Sequence, residues 1–374
     1  MSMYLGGKLK VAIFGESHGK AIGTVIEGLP PGISLDMEYI KEEMDRRRPG
    51  QGRLTTSRVE GDEFEILSGY FQEKTTGTPL CAVIYNKGQH PRDYSEIKNL
   101  PRPGHADYTG RVKYGGFNDY RGGGHFSGRL TAPLVFAGAI AKDILGRQNI
   151  LIGSHIKSIH NIEDKSFDSV HIDERLISEL TKKEFGASEI PVLEGDTGVK
   201  MVECILQAKE KKDSVGGVIE TAIINLPPGL GGPLFHGVEG RLSLALFSIP
   251  AIKGIEFGEG FNITSMMGSE ANDELIVDGG EIKTVSNNNG GILGGITSGM
   301  PLIFRTAVKP TPSIGKEQAT VDLRTMSAAT ITVRGRHDPC IVPRAIPAVE
   351  AAAALVILDL ILEGEGKHEG VGQI

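Results

Sequence analysis

The stretch Gly15-Glu16-Ser17-His18-Gly19 matches G-x-S-x-G, and its flanks constrain the local fold more tightly than any other feature of the chain. In a serine hydrolase this pattern is a nucleophile elbow, which needs a strand, a sharp turn and then a helix. The strand is there, since Lys10-Val11-Ala12-Ile13-Phe14 is short, apolar and rich in β-formers. The segment after the turn lacks helical character. Thr24-Val25-Ile26 is β-branched, and Gly28-Leu29-Pro30-Pro31-Gly32 stops the segment. The order reads strand, turn, strand. A hydrolase built on Ser17 therefore remains only as an alternative, and Ser17 and His18 are available for other chemistry.

The rest of the chain is mixed. Asp36 to Arg48 is expected to be helical, with Met37, Ile40 and Met44 at helical spacing. Leu130 to Leu145 predicts an apolar, mostly buried helix, and Thr197 to Lys212 an amphipathic one. Val342 to Glu363 predicts a long C-terminal helix that starts after Pro347. Val218 to Leu226, Ile252 to Phe257 and Leu302 to Ala307 are strand candidates. The segment from His155 to Glu194 alternates in charge and reads as a peripheral excursion, and Gly364 to Ile374 as a mobile tail. With no fixed repeat and no obvious linker, residues 1–374 are expected to form one compact α/β (α+β) unit.

Charge and cysteine content narrow the partners. A net charge of -7 argues against a nucleic-acid or anionic-membrane surface. Cys81, Cys204 and Cys340 are scattered, which suits a reducing compartment and supplies no metal signature. Met1 to Phe14 lacks the apolar core of a signal peptide, and the run Ala351 to Leu362 is too short to span a bilayer. A soluble cytoplasmic protein is the expectation.

Within this acidic chain the arginines are clustered. Arg46-Arg47-Arg48-Pro49-Gly50 ends the first predicted helix, and Arg53 lies shortly beyond. Cations at a helix C-terminus complement its dipole. Three in succession repel one another unless carboxylates or an anion absorb them. Arg102, Arg129, Arg334 and Arg336 sit in other Gly- or Pro-containing segments. Convergent guanidiniums suit phosphate and carboxylate, whereas scattered ones are solvated surface charge. His105, in Arg102-Pro103-Gly104-His105-Ala106-Asp107-Tyr108, and His337, in Arg336-His337-Asp338-Pro339-Cys340, are candidates for proton transfer or for a structural role. Glycine clusters at 122–124, 290–291 and 294–295 fit no phosphate-loop or dinucleotide pattern. They are turns, or loops lying against a ligand.

Taken in order, FGESHGKAIGTVIEGLPPG, GGGHFSGRLTAPLVFAGAIAK and GRHDPCIVPRAIPAVEAA resemble the three signature stretches of the chorismate synthase family. RRRPGQGR, TTGTP, RPGHADY, SNNNGGILGGI and KPTPSIGK also fall where that family has such segments. The resemblance implies an α/β sandwich, a homotetramer and a reaction requiring reduced FMN without net redox change. That reaction is an anti 1,4-elimination of phosphate from 5-enolpyruvylshikimate 3-phosphate, giving chorismate. Substrate contacts would fall on Arg47, Arg48, Arg53, Arg102 and Arg129. His105 corresponds to the histidine that protonates the leaving phosphate, and His18 to the one that protonates reduced flavin. Asp338, Ser17 and Ser127 correspond to its proton relay. Flavin contacts would fall on His125, Phe126, Ser127, Ala251, Gly294, Lys309, Pro310, Thr311, Pro312, Ser313 and Arg336. If NADPH serves as reductant, Arg47 and Arg53 are the positions implied.

The chain departs from the common family pattern at His125-Phe126-Ser127, where many members have Arg-Ser-Ser, and at Pro250, where many have Asn. Backbone contacts survive such changes; side-chain contacts from these positions need not. The remaining alternative is a protein that binds flavin or phosphate and turns nothing over.

Overall fold

Lys10–Gly15 and Ala21–Glu27 pair as antiparallel strands with Gly15 opposite Ile22, so the G-x-S-x-G residues form the tight connection of a β-hairpin. A nucleophile elbow is thereby excluded, because a strand stands where its helix is required. The computed structural model describes residues 4–50, 52–55, 61–87, 98–182, 189–333 and 337–364. The expected tail beyond Gly364 lies outside them.

Two five-stranded antiparallel sheets carry the architecture. In the first, the strands run in the spatial order Tyr4–Leu5, Lys10–Gly15, Ala21–Glu27, Leu80–Tyr85, Phe64–Ser68. In the second the order is Ile252–Phe257, Leu302–Val308, Gly217–Ile224, Leu151–Ile159, Ile162–Glu163. Two apolar helices pack against the sheets and against each other. Thr131–Gly146 packs on the first sheet and Val342–Gly364 on the second. Their crossing is close, because a Cβ added at Gly138 would lie 2.4 Å from the Ala351 Cα. A single apolar cluster runs through both sheets and both helices, giving the layered α/β arrangement.

Three expectations need correction. The C-terminal helix begins at Val342 and takes Pro347 inside it. The missing N–H would have served a carbonyl in the first turn, and burial of Ile346, Pro347 and Ala348 outweighs its loss. At 23 residues this helix is long and apolar enough to cross a membrane, so length does not exclude a span; its burial inside the fold accounts for its composition instead. Finally, the charged excursion starts in the core. His155 is fully buried in the Leu151–Ile159 strand, 2.8 Å from Glu220 through Nε2, with the Phe167 ring edge-on to it. The excursion proper, with its Glu174–Leu180 helix, packs Phe167, Ile177 and Leu180 on that sheet.

Candidate active site

The site is built where the first hairpin meets the glycine-rich segment Arg121–Phe126. Ser17 N donates to Gly124 O at 3.1 Å, and His125 Nδ1 lies 2.8 Å from Gly15 O. Asn86 Nδ2 donates to the carbonyls of Glu16 and Gly19 at 3.1 and 3.0 Å, closing the turn from the other side. Gly122 has φ 59° and leaves no room for a side chain: its Cβ would stand 2.2 Å from Nδ1 and Cε1 of the buried His18 and 3.0 Å from Ser17 Oγ. At the next residue, Gly123, a Cβ would stand 3.1 Å from Cε1 and Nε2 of His105. Consecutive glycines thus let two separate segments bring the two candidate proton-transfer histidines against one loop.

His105 is tied to charge. Its Nδ1 lies 2.7 Å from Asp107 Oδ1, and Arg102 Nη2 lies 3.1 and 3.2 Å from its two ring nitrogens. Burial opposes ionisation of Asp107, but hydrogen bonds from Arg102 and His105 outweigh it and hold its carboxyl well below the usual range. Arg102 Nη1 donates to Ser313 Oγ at 2.9 Å, and Lys309 Nζ donates to Gly104 O. Lys309 N donates to Ala251 O at 3.0 Å, so Ala251 and the Lys309–Ser313 stretch, with Pro310, Thr311 and Pro312, border the His105 loop. Burial and the neighbouring Lys253 push the Lys309 ammonium below its ordinary value.

The three consecutive arginines separate. Arg46 turns into the core, against Glu43 at 2.8 Å and Glu350 at 2.7 Å, where Lys142 also meets both carboxylates. Arg47 is buried elsewhere, against Asp62, whose other oxygen takes Arg129. Arg129 Nε reaches Asn86 Oδ1 at 3.2 Å, linking this cluster to the His18 turn. Arg344 pairs with Asp338 at 2.6 Å. Burial first, then the charges of Arg344 and Arg129, bring the Arg47 guanidinium down to about 10 against the pull of Asp62. Among the described residues Arg47 Nε and Nη1 find no hydrogen-bond partner although they are buried. Among the described residues Arg47 is thus short of acceptors, which a phosphate or carboxylate supplies.

Of the other predicted residues, Arg48 and Arg53 stand apart from this network, whereas His125 and Ser127 adjoin it. Arg48 is half-exposed beside Asp45, and Arg53 is an exposed partner of Glu189 at 2.5 Å. His125 spends its ring on Gly15 O, and the Phe126 ring lies on Gly110 and 6.3 Å from that of Tyr114. Ser127 Oγ accepts from Arg129 N at 3.3 Å. Gly294 turns a hairpin whose neighbour Gly295 meets Gly232 and Gly237, with nothing within 4 Å of the Gly294 Cβ position. Arg336 lies outside the described residues. A cleft of ≈ 260 Å³ lined by Leu9, Phe235, Arg241, Asp359 and Glu363 holds none of these groups, and its Arg241 is neutralised by the two carboxylates.

The chorismate synthase family profile matches residues 9–362. The chain belongs to the chorismate synthase family. A chorismate synthase of Thermococcus kodakarensis is 47% identical over 96% of this chain and 97% of its own. One of Pyrococcus abyssi is 49% identical over 96% and 97%. A crystal structure of chorismate synthase superposes with a TM-score of 0.75 at 33% identity, covering 96% of this chain and 94% of that one. The α/β fold and a phosphate-eliminating lyase function are accordingly those of the family.

In this chorismate synthase family member, some groups of the site carry no signature in the sequence. Asp62 and Asn86 reach it only through tertiary packing and no local pattern marks them, while Arg344 lies within the third signature stretch but is not singled out there. Asp107 differs, since it stands two residues after His105 in the RPGHADY segment and could have been found there.

Proposed function

We propose that the Gly122–Gly123 loop, against which His18 and His105 pack, is the centre at which 5-enolpyruvylshikimate 3-phosphate loses phosphate and a ring proton to give chorismate, in an anti 1,4-elimination. The observation behind this reading is the seating of both histidines on Gly122 and Gly123, between a cluster of guanidiniums and Arg102. The substrate carries a phosphate and two carboxylates, which match the surplus positive charge around Arg47, Arg129 and Arg344. His105, with Arg102 beside it, is placed to give a proton to the departing phosphate. His18, with Ser17 also beside Gly122, is the group read as protonating reduced flavin, and Asp338 and Ser127 border the cationic side.

Reduced FMN, if bound here, would supply transient electron donation with no net redox change. The residues fit such a group. Lys309 and Lys253 repel one another until an anion such as the flavin phosphate meets them. Ala251, at φ 78°, and the open Gly294 provide backbone without side-chain obstruction. Arg47 and Arg53 have unlike surroundings, one buried and one exposed, so a nicotinamide site shared between them has little structural support. A homotetramer is supported by the Leu275–Thr284 hairpin, which exposes Leu275, Val277 and Ile282. We place the enzyme in the cytoplasm, in aromatic amino acid biosynthesis.

The deciding assay is anaerobic incubation with photoreduced FMN and 5-enolpyruvylshikimate 3-phosphate, read as phosphate and chorismate released in equal amounts. A second arm with oxidised FMN and NADPH reports intrinsic flavin reduction. No product in the first arm rejects the reading.

A further inference from the structure

We propose that Asp107 is the positioning residue of His105: its carboxylate accepts the Nδ1 proton and fixes the ring so that Nε2 is the nitrogen that gives a proton away. The inference rests on the assignment of His105 as proton donor. Asp107 opens the Asp107–Lys113 helix and is almost wholly buried. Its Oδ1 accepts from Arg102 Nη2 at 2.8 Å as well as meeting His105 Nδ1 at 2.7 Å. Its Oδ2 accepts from Arg102 Nε at 2.8 Å and from Arg102 N at 3.0 Å. With four such contacts the carboxylate cannot swing away. The ring edge bearing Cε1 and Nε2 then faces the Cβ side of Gly123, the gap that only a glycine leaves there. Arg102 Nη2 stands 3.2 Å from Nε2, so an anionic oxygen arriving at that nitrogen meets a cation and a proton donor together.

The charged groups around the ring are Arg102 and Asp107 from its own segment, Lys309 through the Gly104 carbonyl, and His18 across the Gly122 turn. Asp107 is the carboxylate among these four. A bland reading gives it only the task of anchoring Arg102. Asn separates the two. In Asp107→Asn the amide oxygen can keep both bonds on the Arg102 Nε side, while the amide N–H₂ turned to Nδ1 can only donate and gives up the bond from Arg102 Nη2. That forces the Nε2–H tautomer and disfavours the imidazolium, the fault produced when the orienting carboxylate of a catalytic triad is amidated.

The test uses the full chain labelled with ¹⁵N-histidine, in wild-type, Asp107→Asn and Asp107→Glu forms, with ring tautomers read by NMR and turnover by the anaerobic assay. We expect Nδ1 of His105 to carry a proton throughout in the wild type, alone once Nε2 has given its proton away and together with Nε2 before it does, and the neutral ring of Asp107→Asn to carry its proton on Nε2. Turnover in Asp107→Asn should fall about 10²- to 10⁴-fold with KM nearly unchanged, and Asp107→Glu should recover part of the loss. A wild-type neutral ring that is bare at Nδ1 and protonated on Nε2 overturns the proposal even if the Asn variant does not fold. So does a folded Asn variant with normal kcat, or one in which KM alone rises. A wild-type chain that makes no chorismate instead rejects the functional reading, whatever its histidine spectrum.

Discussion

Arg46 and Arg47 are neighbours at the end of one helix, and the structure buries them in clusters of opposite character. Around Arg46 the count closes: Arg46 and Lys142 face Glu43 and Glu350, every pair within 2.8 Å, with three helices contributing. Around Arg47 it does not close among the described residues. Arg47, Arg129 and Arg344 face Asp62 and Asp338, and Arg47 keeps two buried N–H groups without acceptors among the described residues. Burial of charge is costly in both places, since desolvation can exceed the attraction of a pair. A balanced cluster recovers that cost within the fold. An unbalanced one recovers it only when an anion arrives, so a surplus of charge, rather than charge or burial alone, marks the ligand site.

Removing one charge from the balanced cluster should produce the largest effect. Lys142→Met leaves Glu43 and Glu350 sharing Arg46 alone, and loss of one partner from such a buried set costs about 3–5 kcal/mol. Denaturant unfolding should show that loss, while the folded fraction binds substrate normally. Arg47→Met should do the reverse. Asp62 retains Arg129, so stability changes little, but the missing guanidinium should raise the substrate Kd about 100-fold, or roughly 3 kcal/mol. Calorimetric titration of the folded variant measures it. If Arg47→Met unfolds the chain and Lys142→Met does not, the contrast is drawn the wrong way round.

Acid sharpens the same contrast. Burial opposes ionisation of Glu43, but Arg46 and Lys142 outweigh it and bring the carboxyl down from 4.5 to about 2. Because the folded value is depressed, the stabilisation is complete above pH 4.5 and is lost as pH falls toward 2. Unfolding free energy measured by urea titration at pH 6, 4 and 3 should therefore drop in the wild type. In Lys142→Met one of the two depressing cations is gone, so the drop should be smaller. An equal drop in both would show that the cluster does not govern acid stability.

These clusters also mark where the sequence stops being readable. The hairpin around Ser17 and His18 was legible because its determinants are local: β-branched residues come after the turn, and a Gly-Pro-rich stop ends the strand. That three adjacent arginines need compensation was legible too. Which arginine receives which partner was not, because Glu350 lies 304 positions from Arg46 and reaches it only when helices pack. His18 and His105 were visible as candidates, yet their meeting on Gly122 and Gly123 depends on a loop whose backbone angles no residue pattern specifies. His155 was misplaced on the surface because local charge alternation concealed a buried strand position paired with Glu220.

The smallest expected effect concerns Arg53, placed with the substrate arginines by resemblance and found as an exposed partner of Glu189. A solvent-exposed pair gains little Coulomb energy and is screened by salt, so Arg53→Ala should leave thermal stability unchanged. It should also leave KM for 5-enolpyruvylshikimate 3-phosphate within about twofold, since among the described residues the Arg53 side chain is joined to Glu189 and not to the Arg47 cluster. The experiment is informative because the opposite result has a definite meaning. A KM raised about tenfold with unchanged thermal stability would show that Arg53 leaves Glu189 for the substrate. The site would then extend past the residues that Arg129 and Asn86 tie together, and surplus buried charge would no longer suffice to delimit it.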